Sequence, residues 1–148
     1  MDLLRLDDQV CFALHAASRA MTAAYQPLLA ALEITYPQYL VLLVLWEEDG
    51  ARVSRIGERL YLDSATLTPL LKRLETRGLV ERRRSQQDER VVEVYLTAEG
   101  KRLRRRCAEF PATLCKRAEL SPTQLKTLRA DLQALTRTLH ALVGDETA

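Results

Sequence analysis

Between residues 53 and 97 the hydrophobic period of the sequence changes, and this change restricts the fold more than any other feature. The segments "VSRIGERLYL" and "DSATLTPLLKRLETRGLV" carry apolar residues at helical spacing. The segments "LVERRR" and "RVVEVYLT" are typical of β-strands, and the polar stretch "SQQDE" separates them. The sequence therefore predicts two short helices followed by an antiparallel hairpin with a charged tip.

The end signals of the two helices agree with this prediction. Ser54 can cap the first helix, Asp63 can cap the second, and Gly78 is a usual stop after a helix. If the second helix begins at Asp63, then Pro69 lies inside it and costs one backbone hydrogen bond. Two short helices with a tight turn, followed by a hairpin, predict a winged helix-turn-helix.

Long helical segments flank this lobe, which we place at about residues 50–97. The segments at about residues 7–32 and 98–143 are apolar along one side. The last helix has an apolar stripe of Leu125, Leu128, Leu132, Leu135, Leu139 and Leu142. A small domain leaves little to cover such stripes, so we expect a second copy of the chain to bury them. The predicted fold class is mainly α with a small β-hairpin wing, a winged helix-turn-helix with the dimer formed by the N- and C-terminal helices.

Helix boundaries outside the lobe also follow from the sequence. Asp7 or Asp8 can cap the first helix, and Pro27 should bend or end it. The run at residues 39–46 is apolar nearly all round, which predicts a helix at the buried centre of the fold. Pro111 should break or bend the helix that follows the hairpin.

Length and composition exclude several classes of protein. The 148 residues, of which 47% are hydrophobic, suit a single domain over residues 1–148. The sequence has neither a long apolar run nor a signal-peptide pattern at its start, so we expect a cytoplasmic protein without a membrane span. Cys11, Cys107 and Cys115 are spaced too irregularly for a disulfide framework or a zinc site. We therefore expect free thiols, no metal and no cofactor.

The charge of the chain is concentrated in its centre. Residues 52–106 contain 15 Lys and Arg against 8 Asp and Glu, whereas the rest contains 7 against 12. A basic block within a globular chain favours an anionic partner such as nucleic acid. The alternative interpretation is an ordinary solvated surface.

Two elements of the basic lobe are suited to meet double-stranded DNA. The exposed front of the second helix carries polar and cationic side chains, namely Ser64, Thr66, Thr68, Lys72 and Arg73. This helix can enter the major groove, while the hairpin from Arg82 to Arg90, including Arg84, lies along or enters the minor groove. Ser64 and Thr66 have a second interpretation, in which they only cap the helix.

One face of the first helix suggests a role for its cysteine. Cys11, His15, Ser18, Thr22 and Tyr25 recur at helical spacing, but Tyr25 is roughly 21 Å along the helix from Cys11. If two copies of the helix cross antiparallel near Ser18, each Tyr25 approaches the other chain's Cys11. The first helical turn favours a thiolate, although the nearby aspartates oppose it. The alternative is that Cys11 merely packs as a small hydrophobe.

The stretch "LDSATLTPLLKRLETRGLVERRRSQQDERVVEVYLT" resembles the multiple-antibiotic-resistance regulator (MarR) family of dimeric winged-helix repressors. The "DER" at residues 88–90, followed by a strand ending in "LT", is similar to the wing signature of that family. The resemblance implies that Arg90 enters the minor groove of a palindromic operator and that Asp88 orients it. A narrow minor groove attracts a guanidinium, so this assignment is physically reasonable.

The stretches "DDQVCFALHAASRAMTAAYQPLL" and "LEITYPQYLVLLVLWE" resemble the organic hydroperoxide resistance regulator branch of that family. The resemblance implies that Cys11 reacts with an organic hydroperoxide and that Tyr25 and Tyr36 of the partner subunit contact it. Some members of the branch have a resolving cysteine near the C-terminal helices. Cys115 matches that position, Cys107 is its competitor, and an intersubunit disulfide between Cys11 and Cys115 is the expected product.

Two other functions remain open at this stage. A repressor of the same fold could instead release DNA when a lipophilic or phenolic acid binds between the dimer arms. A thiol peroxidase is the alternative from another class, but the basic wing would then have no purpose, and no residue resembles a threonine or arginine placed to polarise a peroxide. We therefore expect a regulator and not an enzyme.

Overall fold

The computed structural model describes residues 2–145, which pack as two compact units, the first ending at Phe110 and the second beginning at Pro111. The first unit opens with a 3₁₀ turn at Leu6–Asp8. Its regular elements are α1 (Val10–Ala30), α2 (Tyr36–Glu47), β1 (Ala51–Arg52), α3 (Val53–Leu60), α4 (Ser64–Thr76), β2 (Val80–Arg84), β3 (Val92–Leu96) and α5 (Ala98–Cys107). The remaining helices are α6 (Phe110–Arg117) and α7 (Pro122–Asp145). The predicted fold class, mainly helical with a small β wing, is confirmed.

Helix α2 is the centre of the first unit, as its apolar sequence predicts. Val41, Leu42 and Leu45 are completely buried. The helix starts with a reciprocal cap, in which the Thr35 amide donates to Gln38 Oε1 at 2.9 Å and the Gln38 amide donates to Thr35 Oγ1 at 3.4 Å. This cap satisfies two backbone donors and fixes where the apolar helix enters the core.

Helices α3 and α4 form the predicted pair. Tyr61 adopts a left-handed conformation (φ 54°) that ends α3 and makes the tight turn. The Asp63 side chain accepts a 2.7 Å hydrogen bond from the Thr66 amide and caps α4, and Gly78 (φ 70°) follows its end. Pro69 lies inside α4, as expected. The predicted Ser54 cap is wrong, because β1 runs directly into α3 and leaves Ser54 inside the helix.

The wing belongs to a three-stranded antiparallel sheet of order β1-β3-β2. The hairpin register pairs Val80 with Leu96 and Arg84 with Val92, in agreement with the predicted strands. Strand β1 adds a pairing of Ala51 with Val94 that the sequence analysis missed. A strand of two residues has no measurable alternation, so only its partner reveals it.

Two boundaries of α1 differ from the prediction. The helix starts at Val10 without a side-chain cap, because Asp7 and Asp8 lie in the preceding 3₁₀ turn. Pro27 does not end the helix, which continues to Ala30. The proline removes a single backbone hydrogen bond, and the burial of Leu29 two residues later offsets that loss.

The C-terminal helices follow the sequence signals more closely. The helix that starts at the Thr97 cap is interrupted after Cys107, and Pro111 occupies the second position of α6, so the predicted break is confirmed. Ser121 caps α7 and accepts a 3.2 Å hydrogen bond from the Gln124 amide. Within residues 2–145, no helix combines the length and apolar character needed to cross a membrane.

Candidate DNA-binding surface and redox site

At the wing tip, one arginine is hydrogen-bonded to a carboxylate and faces solvent. Arg90 donates to Asp88 through its backbone amide at 3.0 Å and through its guanidinium at 3.1 and 3.2 Å. The Arg90 side chain is nevertheless 90% exposed. These hydrogen bonds hold the pKa of Asp88 below its usual value. The pair predicted at the tip is therefore in contact, with the guanidinium oriented and open to solvent.

A second ion pair ties the wing to α4. The Arg82 amide donates to Glu75 Oε1 at 3.0 Å, and its guanidinium donates to Glu75 Oε2 at 3.0 and 2.8 Å. These bonds lower the pKa of Glu75. The sequence analysis missed this contact, although one signal was available. A glutamate in the last turn of a helix faces the negative end of the helix dipole and needs a cationic partner.

Three arginines from separate elements line one cleft between α3, α4 and the wing. Arg52, Arg82 and Arg90 border it together with the hydroxyl-bearing residues Ser54 and Thr68, and its volume is about 420 Å³. Arg52 was not among the predicted DNA-binding residues. Its only sequence signal is its position beside the helix pair. Arg82 and Arg90 are each paired with a carboxylate, so they present oriented guanidiniums to the cleft and not free positive charge.

The other predicted DNA-binding residues are distributed over the lobe. Ser64, Thr66, Lys72 and Arg73 are exposed on α4. The Thr68 hydroxyl donates to the Ser64 carbonyl at 2.7 Å, which leaves its oxygen as an acceptor. Lys72 and Arg73 border a different groove, beside Thr35 and Gln38, and Arg84 borders a third groove beside Glu93 and Tyr95. The structure therefore does not gather these side chains into one pocket.

The cysteine of interest lies at the start of α1. Cys11 is the second residue of the helix and is exposed. The residue before the helix, Gln9, makes no side-chain cap, so the first amides of α1 remain available to stabilise negative charge.

The two tyrosines predicted to contact the cysteine of a partner lie together within one chain. The ring centroids of Tyr25 and Tyr36 are 5.2 Å apart, with an interplanar angle of 51°. Burial raises the pKa of Tyr36. A third ring, Tyr39, lies 5.6 Å from Tyr25 and 6.1 Å from Tyr36. We call Tyr25, Tyr36 and Tyr39 the tyrosine cluster. The sequence analysis missed Tyr39 because it read the apolar run of α2 as core alone.

The two remaining cysteines have different environments. Cys107 is only 2% exposed, and burial raises the pKa of its thiol to about 11, although Arg106 opposes this effect. Cys115 lies in α6 and is half-buried. The Cys107 thiol therefore remains protonated at neutral pH, which makes it a weak nucleophile.

Comparison with known proteins identifies the family of this chain. The family model "Transcriptional regulator SarA/Rot" matches residues 23–106. The organic hydroperoxide resistance transcriptional regulator of Bacillus subtilis is 49% identical over 139 residues, which cover 94% of this chain and 95% of that protein. The chain belongs to the MarR family of winged-helix regulators, in its organic hydroperoxide resistance regulator branch. The family and branch suggested by the sequence motifs are confirmed.

Solved structures of the MarR family include relatives in several redox states. Reduced AbfR bound to DNA, a protein of Staphylococcus epidermidis, has 38% identity and a TM-score of 0.78, covering 92% of this chain and 95% of AbfR. Disulfide-formed AbfR has 38% identity and a TM-score of 0.65, covering 90% and 93%.

Proposed function

We propose that this protein is a homodimeric transcriptional repressor that binds a palindromic operator when reduced and releases it when an organic hydroperoxide oxidises Cys11. The contact between Tyr25 and Tyr36, with ring centroids 5.2 Å apart, is the observation that carries the proposal. Two adjacent phenol hydroxyls can both donate hydrogen bonds to a sulfur atom that a second chain supplies. The B. subtilis relative, named for organic hydroperoxide resistance, supports the same chemistry.

Dimerisation brings the sulfur and the phenols together. Cys11 and Tyr25 are too far apart along one α1, roughly 21 Å, to touch within a chain. An antiparallel crossing of two α1 helices near Ser18 removes this separation. Exposed apolar side chains around the start of α1 (Leu6, Val10 and Phe12) and along α7 (Leu128, Leu132, Leu139 and Leu142) supply surface for a second copy. Helices at about residues 7–32 and 98–143 thus pair the chains, and residues 50–97 form the DNA-binding lobe.

The first chemical step is a two-electron oxidation of sulfur. The Cys11 thiolate attacks the terminal oxygen of the hydroperoxide, the O–O bond breaks, and an alkoxide leaves. The alkoxide takes a proton and becomes an alcohol, while the hydroxyl group stays on sulfur as sulfenic acid. Hydrogen bonds from Tyr25 and Tyr36 of the partner subunit stabilise the attacking thiolate. The apolar side chains of Leu6, Val10 and Phe12 around the start of α1 would favour an organic peroxide over a small hydrophilic one.

The second step forms a disulfide with a cysteine of the other chain. A thiolate attacks the sulfenic sulfur, an S–S bond forms, and the hydroxyl group leaves as water after taking a proton. Cys115 is the better candidate, because the buried Cys107 thiol has a pKa of about 11 and is rarely ionised near pH 7. An intersubunit bond between Cys11 and Cys115 pulls on the dimerisation helices and changes the spacing of the two DNA-binding lobes.

The DNA-binding lobe uses two elements on each half-site. Helix α4 enters the major groove with Ser64, Thr66 and Thr68 at its front, followed by Lys72 and Arg73. The wing enters the minor groove with Arg90, held by Asp88, while Arg84 contacts the backbone. We place this regulator in the cytoplasm. It is not an enzyme, because each oxidation of Cys11 ends in the release of DNA and the protein does not turn over the peroxide.

Fluorescence anisotropy with an operator duplex tests this function. Oxidation of the reduced dimer by cumene hydroperoxide should lower its affinity by at least tenfold, and a thiol reductant should restore it. Cys11→Ser is the matched control, which should bind DNA before and after peroxide. If peroxide leaves the affinity of the unmodified protein unchanged while a salicylate-like acid releases the DNA, the effector is a non-covalent ligand and the sensor proposal is wrong.

A further inference from the structure

Tyr39 is the most deeply buried member of the tyrosine cluster. It follows Tyr36 by three residues on α2, so the two side chains share one face of the helix. Tyr39 is only 2% exposed, whereas Tyr25 is 9% exposed. Its other side packs edge-on against Trp46, with ring centroids 6.2 Å apart. Tyr39 is therefore a fixed support for the two outer rings and cannot itself reach a sulfur from solvent.

The Tyr39 hydroxyl is hydrogen-bonded to Tyr25 and lies near the Cys107 thiol. Its pKa is raised, first by burial, then by the nearby Tyr25, Cys107 and Tyr36, and by a hydrogen bond to Tyr25. Tyr39 is thus hydrogen-bonded to Tyr25 and keeps its proton in the buried interior. Cys107 is also neutral near pH 7, so it places no negative charge beside the Tyr39 hydroxyl.

We propose that Tyr39 is a positioning residue of the peroxide sensor, whose buried hydroxyl donates to Tyr25 and thereby directs the Tyr25 proton outward to Cys11 of the partner subunit. This inference rests on the proposed function. A hydroxyl that accepts one hydrogen bond becomes a stronger donor in the next, so the Tyr39–Tyr25 bond strengthens the bond that stabilises the sulfur. The same bond prevents Tyr25 from donating its own proton inward to Tyr39.

The variant Tyr39→Phe keeps the ring and removes only the hydroxyl. On the full dimer, we expect oxidation of Cys11 by cumene hydroperoxide to slow about threefold at pH 7, from cooperative strengthening of one charge-assisted hydrogen bond. The rate is measured by trapping the sulfenic acid with dimedone and quantifying the adduct by mass spectrometry. The midpoint of the rate's pH profile should also move upward, a change that loss of packing alone does not produce.

A double-mutant cycle separates positioning from a general structural effect. Tyr25→Phe should slow oxidation as well, and adding Tyr39→Phe to it should produce no further decrease, because Tyr39 acts only through Tyr25. Equal slowing in both backgrounds would overturn the inference. Tyr95→Phe is a matched control, since its half-buried hydroxyl bonds to Glu93 in the sheet, and it should leave the oxidation rate unchanged.

Replacing Tyr39 with 3-fluorotyrosine gives a second test that preserves the size of the side chain. This phenol is a better donor, so the pH profile should move in the opposite direction, and an unchanged profile would contradict the proposal even if Tyr39→Phe fails to fold. The proposed function fails separately, if the unmodified dimer yields no Cys11 adduct. A normal adduct in the unmodified dimer together with normal kinetics in Tyr39→Phe refutes the positioning role alone.

Discussion

The Glu75 carboxylate accepts three hydrogen bonds from Arg82, at 3.0, 3.0 and 2.8 Å, and so joins the end of α4 to the first strand of the wing. One bond comes from the backbone of β2 and two from the guanidinium, so the carboxylate fixes both the position of the strand and the direction of the side chain. The angle between α4 and the wing is thus set within the lobe, before any DNA is present. This geometry determines whether both elements can reach their grooves together.

Removing the charge of Glu75 should weaken DNA binding without unfolding the lobe. We expect Glu75→Gln to lower operator affinity by about threefold to tenfold, because a neutral amide orients Arg82 less firmly. Anisotropy titrations at constant salt measure the effect. Glu81→Gln is the matched control, since Glu81 pairs with Arg83 on the strand surface, and an equal loss in both variants would show that net charge, and not geometry, is responsible.

The same ion pair predicts a pH dependence of stability. The pKa of Glu75 in the folded state is below its ordinary value of 4.5, so its contribution is fully present above pH 4.5 and is lost as the pH falls through the lower folded-state value. Stability of the unmodified protein should therefore decrease on the acid side more steeply than that of Glu75→Gln. Chemical denaturation between pH 6 and pH 3 measures the difference, and parallel curves would contradict the prediction.

The wing arginine should contribute to the salt dependence of binding. We expect Arg90→Ala to weaken operator binding and to reduce the slope of log affinity against log salt by about one for each lost phosphate contact. Arg102→Ala is the control, because Arg102 lies on α5 and pairs with Glu99 away from the wing. A slope unchanged by Arg90→Ala would mean that Arg90 makes no phosphate contact.

The identity of the resolving cysteine can be read from a non-reducing gel. After peroxide treatment, Cys115→Ser should remain monomeric on the gel and carry a sulfenic acid at Cys11, whereas Cys107→Ser should still form the crosslinked dimer. The burial of Cys107 is the physical reason for the difference. A crosslink that persists in Cys115→Ser and disappears in Cys107→Ser would reverse the assignment.

A glycine at the start of α5 should be essential for packing. A Cβ at Gly100 would collide with the carbonyl oxygen of Leu79, and the Gly100 carbonyl accepts a 2.9 Å hydrogen bond from Trp46 Nε1. We expect Gly100→Ala to lower the free energy of unfolding by roughly 2 kcal/mol, the usual cost of overpacking. Gly144→Ala is the control, because a Cβ there meets nothing within 4 Å, and it should be neutral or slightly stabilising.

The sequence predicted the fold where its signals are local. The cap at Asp63, the stop at Gly78 and the alternation of the hairpin all have a physical cause within a few residues, and all are found in the structure. Strand β1 and the start of α1 were missed or misplaced, because pairing with β3 and the preceding 3₁₀ turn decide them.

The same distinction between local and long-range contacts separates the site contacts that were predicted from those that were not. The Asp88–Arg90 contact spans two residues and was predicted, whereas Glu75–Arg82 and the place of Arg52 in the cleft depend on how separate elements pack. Tyr39 was hidden for another reason: an aromatic residue within an apolar helix has the same pattern whether it fills space or orients a neighbour. The ring distances to Tyr25 and Tyr36 show that Tyr39 lies beside them, which the sequence pattern could not reveal.

The pairing of Arg90 with Asp88 has a consequence for how the protein searches a chromosome. The Asp88 carboxylate competes with DNA phosphates for the Arg90 guanidinium, so the tip gains less from an arbitrary duplex than an unpaired arginine would. The guanidinium is attracted most strongly to a narrow, A·T-rich minor groove, because the negative potential there is strong enough to compete with the Asp88 carboxylate. Such a wing tip should bind random DNA sequences weakly and should favour sites whose minor groove is narrow.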